Sequence, residues 1–242
     1  MAKEFNVPRG YKTKSEYVHW IFSTIAPKYD ILNTLLSFNR DKYWRIQAVK
    51  AANVVPGNAV LDVCCGTGKF AFESLNSVKP QGKVVGLDFC ENMLEIAKKS
   101  TPEEDKDSIE WVQGDASELP FQDNTFDAAT IGFALRNVPD IKQTLKEMRR
   151  VVKPGGRVVS LELAKPSAPI FKQAYYFYFN ILVPILGTLG IGKEGPYSYL
   201  PNSLKVFPHQ EKIKAIFQEI GLKDAYYTEL TGGIVAIHVG TK

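Results

Sequence analysis

The sequence predicts an α/β fold: a doubly wound, mostly parallel seven-stranded sheet closed by an antiparallel C-terminal hairpin, with an N-terminal helical lid. Three observations carry this. Short apolar runs alternate with amphipathic stretches across residues 57–163, the pattern of parallel strands with right-handed crossovers. The first apolar run ends in a glycine loop, and acids stand at the ends of the next two. Two further strand-like runs, joined by Leu230-Thr231-Gly232, read as an edge hairpin near the C-terminus.

The elements follow in order. Glu16–Ala26 is apolar and aromatic and stops before Pro27; Tyr29–Leu36 and Asp41–Ala52 follow, with Ser15, Asp30 and Asp41 as candidate caps. Strands are expected at Ala59–Val63, Lys83–Asp88, Ile109–Gly114, Phe126–Gly132 and Gly156–Leu163. After Asp140, Ile141, Leu145, Met148 and Val152 share one helical face, and Pro154-Gly155-Gly156 ends that helix. Residues 173–191 carry no charge; their length meets a membrane-span threshold, but Asn180, Pro184, Gly187 and Gly190 interrupt them, which leaves a core segment or a membrane-touching entrance. A helix at Glu211–Ile220 precedes strands at Leu222–Glu229 and Gly233–Gly240. The whole is expected to form one domain over 1–242: lid (1–52), cofactor-binding core (53–163), and a substrate-side insertion with the closing hairpin (164–242).

Composition narrows the function. The 242 residues are 45% hydrophobic and 23% charged, which excludes a disordered chain and permits a large core without staples. Adjacent Cys64 and Cys65 with distant Cys90 make no disulfide framework. His19, His209 and His238 are scattered, so no metal site is expected. No apolar signal core begins the chain, which points to a cytoplasmic location. The net charge of +4 hides a cancellation: +5 over 1–50, −5 over 51–150 and +4 over 151–242. No basic cluster with interleaved aromatics argues for nucleic acid.

Glycines Gly66 and Gly68 turn the first strand into a helix, and Asp88 lies where doubly wound folds bind ribose hydroxyls. Gly66-x-Gly68-x-x-Ala71 also satisfies the dinucleotide pattern, so a nicotinamide-dependent oxidoreductase competes. S-adenosyl-L-methionine is favoured instead. Asp62, at the strand end, suits a cationic methionine amine or a loop amide and would repel a pyrophosphate. Asp115, within GDASELPF, suits an adenine amino group.

The stretches IAPKYDILN (25–33), VLDVCCGTG (60–68), GDASELPFQDNTFD (114–127), GFALRNVPD (132–140) and SYLPNSLKVFPHQE (198–211) resemble the ubiquinone/menaquinone biosynthesis C-methyltransferase family. The resemblance implies methylation of a ring carbon on a polyprenylated quinol, with demethylmenaquinol preferred over a benzoquinol precursor of ubiquinone. It puts cofactor positions on Thr67, Asp88, Asp115 and Ala116. Position 132, often serine in that family, is Gly132; position 69, commonly acidic, is Lys69. Arg136 would stabilise a phenolate or orient a water, or else pair with Asp140. Asn137 would hold a substrate hydroxyl or cap the next helix. Tyr29 and Asp30 would close over the cofactor, and His209 is either a candidate base or a helix-entry residue. A lipophilic quinol is the expected partner; peripheral membrane contact at the inner face and a homo-oligomer stay open.

Overall fold

The computed structural model describes residues 7–166 and 196–242. The three N-terminal helices are α1 (Lys14–Ile25), α2 (Tyr29–Leu36) and α3 (Arg40–Ala52), with a 3-10 turn, Ala26–Lys28, between the first two. The caps differ from expectation. Thr13 caps α1, its hydroxyl accepting from the Glu16 N–H. Left-handed Asn39 precedes α3, and Asp41 sits in its first turn, bonded to Ser37 and Arg45. Ser15 lies within α1, and no capping hydrogen bond starts α2.

Next come β1 (Ala59–Val63), α4 (Lys69–Val78), β2 (Lys83–Asp88), α5 (Glu91–Ser100), β3 (Ile109–Gln113), β4 (Phe126–Gly132), α6 (Ile141–Val151) and β5 (Val152–Leu163). After the undescribed stretch follow α7 (Pro196–Val206), α8 (Gln210–Glu219), β6 (Lys223–Leu230) and β7 (Val235–Thr241). The uncharged run at 173–191 lies outside the described residues. Among those described, no helix is long and apolar enough to cross a membrane.

The seven strands run in the order β3-β2-β1-β4-β5-β7-β6. The first five pair in parallel, and β7 is antiparallel to both β5 and β6. Chain order reverses at β1: β2 leaves on one side and β4 on the other. That switch point opens a crevice at the carboxyl ends, where ligands of this architecture bind. β5 begins earlier than the sequence suggests, because Val152 pairs with Phe126 before a bulge restores register at Ala128↔Arg157. Pro154 and the glycines therefore make an irregularity inside the strand.

The core is two-sided. Leu61, Val63, Leu87, Ile131 and Val158 pack with α6 and α8 through Leu145, Met148, Ile213 and Phe217. Trp44, Ala48 and Ala52 of α3 cover the other face with Phe70, Val159 and Ile237. Helix α1 buries Tyr17, Val18 and Ile21 beside Tyr199. Helix α2 buries none of its residues. The lid is thus anchored by α1 and α3 and loose at α2.

Candidate active site

The loop after β1 is built around Asp88. Its Oδ2 accepts from the Gly66 N–H at 2.8 Å and its Oδ1 from the Cys90 N–H at 2.9 Å. This carboxylate ties the glycine loop to the end of β2 and stays 95% buried. Burial raises its pKa, against the pull of those amides. Gly66 takes φ +55° with nothing within 4 Å of where a Cβ would point, so the backbone is open to a ligand. Gly68 is different: a Cβ there would run into the Trp111 ring, and φ is +83°. Its lack of a side chain serves the packing of Trp111 and the entry to α4.

Two clefts meet over this loop. The smaller, about 780 Å³, is lined by Ser15, Val18, Phe22 and Tyr29 from the lid side, and by Asp88, Asp115, Ala116 and Asn137 from the core side. The larger, about 1620 Å³, lies between α2, α3 and the start of α4 and includes Thr67, Lys69 and Arg45. Tyr29, Cys64, Gly66, Gly132 and Phe133 border both. Asp115 ends β3 in a short turn, with Oδ1 accepting from the Ser117 N–H at 2.8 Å and from its hydroxyl. Its second oxygen has lone pairs for a ligand donor.

Asp62 lies beneath the loop, wholly buried, with Oδ1 bonded to the Thr130 hydroxyl at 2.9 Å. Its Oδ2 has no hydrogen-bond partner. Burial, aided by the Asp88 charge, pushes its pKa up to about 7. Buried polar atoms are seldom left unpaired, so this oxygen points to a missing donor.

Of the sequence-predicted residues, Tyr29, Gly66, Asp88, Asp115, Ala116 and Asn137 come together in the smaller cleft, and Thr67 in the larger. Asp62, Gly68, Arg136 and His209 line neither. His209 is exposed and caps α8, its Nδ1 accepting from the Glu211 N–H. A chain entering a helix needs such an acceptor, and His209 therefore stands as a cap outside the site. The alternative reading, an Arg136–Asp140 pair, is not what the structure shows: Asp140 caps α6. Arg136 turns inward, with Nη1 2.5 Å from Glu162 Oε1 and 2.6 Å from the Phe133 carbonyl. Asn137 caps no helix; its Oδ1 accepts from the Tyr199 hydroxyl at 2.9 Å.

Sequence reasoning missed Glu162, Tyr199 and Lys14. Lys14 Nζ donates to the carbonyls of Arg136 and Val138 at 2.9 and 2.8 Å, fastening the lid to the loop after β4. Tyr199 and Glu162 carried a signal, lying within the family-like stretches SYLPNSLKVFPHQE (198–211) and RVVKPGGRVVSLELAKP (150–166); Lys14 carried none. The thiols of Cys64 and Cys65 are pushed up by burial and nearby carboxylates, which makes them poor nucleophiles. No cluster of metal-ligating side chains occurs among the described residues.

The site fits a nucleoside joined to an amino acid. Asp88 and Asp115 stand at the ends of adjacent strands, suited to hydroxyls and an amine, and the backbone is open at Gly66.

Comparison with known proteins agrees. Residues 11–242 match the family model described as the ubiE/COQ5 methyltransferase family. The demethylmenaquinone methyltransferase of Desulfitobacterium hafniense (strain Y51) is 48% identical over 232 residues, covering 96% of this chain and 92% of the relative. That of Staphylococcus saprophyticus is 46% identical over 231 residues, covering 96% and 98%. Among solved structures, S-adenosylmethionine-dependent methyltransferases from Thermotoga maritima and Aquifex aeolicus align with TM-scores of 0.64 and 0.63. Their identities are 21% and 17%; coverage is 93% of this chain and 99% of the first, 87% and 96% for the second. These two likenesses bear on the fold alone.

Proposed function

The chain belongs to the ubiE/COQ5 methyltransferase family, and from that premise we propose that it is an S-adenosyl-L-methionine-dependent C-methyltransferase converting demethylmenaquinol to menaquinol. The observation that carries the reading is the joining of Asp88, Asp115 and the open Gly66 backbone in one cleft, in a chain that matches demethylmenaquinone methyltransferases along 96% of its length. The nicotinamide-dependent alternative falls with family membership, and the ubiquinone precursor is the less favoured ring.

When bound, the cofactor supplies a methyl group activated by its sulfonium. What remains for the protein is to hold two partners in line and to make a quinol carbon nucleophilic. Asp88 takes the ribose hydroxyls, Asp115 the adenine amine, and the Ala116 backbone lines the base. Ser15, Val18, Phe22 and Tyr29 exclude water from above. Asn137, held by Tyr199, presents its amide to a quinol hydroxyl. Arg136 favours the phenolate electrostatically from behind the loop; burial works against its charge, but the Glu162 carboxylate beside it outweighs that and keeps it charged. Tyr29 borders both clefts and contributes a hydroxyl at their junction; it is half-buried, and desolvation of the phenol holds its proton more tightly.

The reading treats the chain as one catalytic unit, with lid, core and C-terminal flank acting together. It includes peripheral membrane contact, since a polyprenyl tail keeps the substrate in the bilayer. Ile31 and Leu35 support this, standing 71% and 55% exposed on α2 at the larger cleft. The test is expression in a bacterial strain lacking its own demethylmenaquinone methyltransferase. Restored menaquinone supports the reading, and persistent demethylmenaquinone with the protein present overturns it.

A further inference from the structure

The amino-acid end of the cofactor carries a carboxylate, and the walls of this site are rich in acids. Asp30, Asp41 and Glu73 line the larger cleft, and Asp62 and Asp88 lie under or beside the loop that divides it from the smaller one. A carboxylate entering that field needs a cation. Three basic side chains line the cleft: Lys42, Arg45 and Lys69. Lys42 is exposed. Lys69 is half exposed and faces Asp30 at 3.5 Å. Arg45 is different. Its side chain is only 13% exposed and braced by Asp41, whose oxygen lies 2.6 Å from Nη2. Asp41 is itself held by the Ser37 hydroxyl at 2.9 Å. Its neighbour Trp44 is buried, bonded to Thr231 at 2.8 Å, so this turn of α3 is fixed against the sheet. A guanidinium has five N–H donors, and Asp41 occupies a small part of that fork.

Position completes the argument. With the adenosine end on Asp88 and Asp115 in the smaller cleft, the chain of the amino acid must continue past Gly66, which borders both clefts. Beyond Gly66 lies the cleft that Arg45 lines. The Arg45 charge is felt both by Asp62 and by Tyr29, which places it at the junction. We propose that Arg45 binds the α-carboxylate of S-adenosylmethionine. Arginine suits this because its fork matches a carboxylate with two parallel hydrogen bonds. This inference rests on the cofactor reading above.

Two probes separate the halves of the ligand: S-adenosylhomocysteine has the amino acid, and 5′-methylthioadenosine lacks it. Calorimetric titration of the full chain should show Arg45→Gln weakening S-adenosylhomocysteine roughly 10- to 100-fold, from loss of a charge-assisted contact. Affinity for 5′-methylthioadenosine should stay within about twofold, which also shows that the variant is folded. Arg45→Lys keeps the charge without the fork and should fall between. Equal weakening of both probes, or unchanged S-adenosylhomocysteine binding, overturns the role of Arg45 alone. A wild-type chain that binds neither probe overturns the cofactor reading and this inference with it.

Discussion

At the scale of single residues, burial decides what each carboxylate can do. Asp62 has a pKa pushed to about 7 in the folded chain, against an ordinary 3.8. An acid whose pKa is raised by folding binds its proton more tightly in the native state. Its contribution to stability is therefore complete below about pH 4 and is lost as pH rises through about 7. The span corresponds to roughly 4 kcal/mol, an upper figure. Asp62→Asn removes this titration at nearly constant shape. The variant should gain melting temperature over the wild type at pH 8 and gain little or nothing at pH 4, as read by paired calorimetric scans. An equal gain at both values would show that the buried charge is not the cause. Gly132 makes the opposite point about space. A Cβ there would sit 2.8 Å from the ring of buried Phe70. Gly132→Ser, which restores the residue frequent in the family, should cost about 1–3 kcal/mol by overpacking. Urea denaturation checks it, and Phe70→Leu in the same chain should recover part of the loss.

Among the described elements, α2 is the least anchored. It buries no residue, and its polar tie to the core is Asp30, which accepts from the Thr67 hydroxyl at 2.7 Å and faces Lys69. An acid at position 69 would repel Asp30; Lys69 draws it in. Thr67 is a cofactor position in the resembling family, so the same hydroxyl that would serve the ligand here ties down the lid. Asp30→Ala should speed amide hydrogen exchange across Tyr29–Leu36 while leaving β1 and β4 protected. Global stability should change by less than about 1 kcal/mol, as expected for partly exposed ionic contacts. A uniform loss of protection would mean that α2 is integral to the core. The strands and helices themselves were legible because their periodicity is physical: a strand buried on both faces must be apolar throughout, and α6 must show one apolar face. Caps were less legible. Thr13 replaces the expected Ser15, and Asn39 with Ser37 replaces Asp41, because neighbouring polar residues compete for the same amide and the chain's entry angle selects between them.

On the scale of the whole molecule, segments far apart in sequence converge on the loop after β4. Lys14 reaches it from the lid, Glu162 from β5 and Tyr199 from α7. Arg136 and Glu162 form a buried pair, the side chains 8% and 1% exposed. Removing one partner leaves the other charged and unpaired in a low-dielectric place. Glu162→Ala should cost about 3–5 kcal/mol, whereas Arg136→Met with Glu162→Leu should recover most of that. Methyl transfer should not recover in the double variant, since the cation is gone. Denaturant titration and a methyl-transfer assay read the two effects, and recovered activity would remove Arg136 from the chemistry.

The sequence by itself determined the α/β alternation, the closing hairpin and the family. These depend on local periodicity and on short motifs in which each residue meets its neighbours along the chain. Tertiary structure alone decided the rest. It set the direction in which Arg136 points, drawn inward by Glu162 from 26 residues away. It also set the outward place of His209 and the meeting of two clefts at Tyr29 and Gly66. Arg45 showed nothing in sequence, being one of several charges on α3; it becomes a ligand candidate only when packing of α3 brings it to the cleft that Gly66 and Thr67 also line. Side-chain direction and pairing across the fold are fixed by which surfaces the core brings together, and one-dimensional spacing carries no record of that.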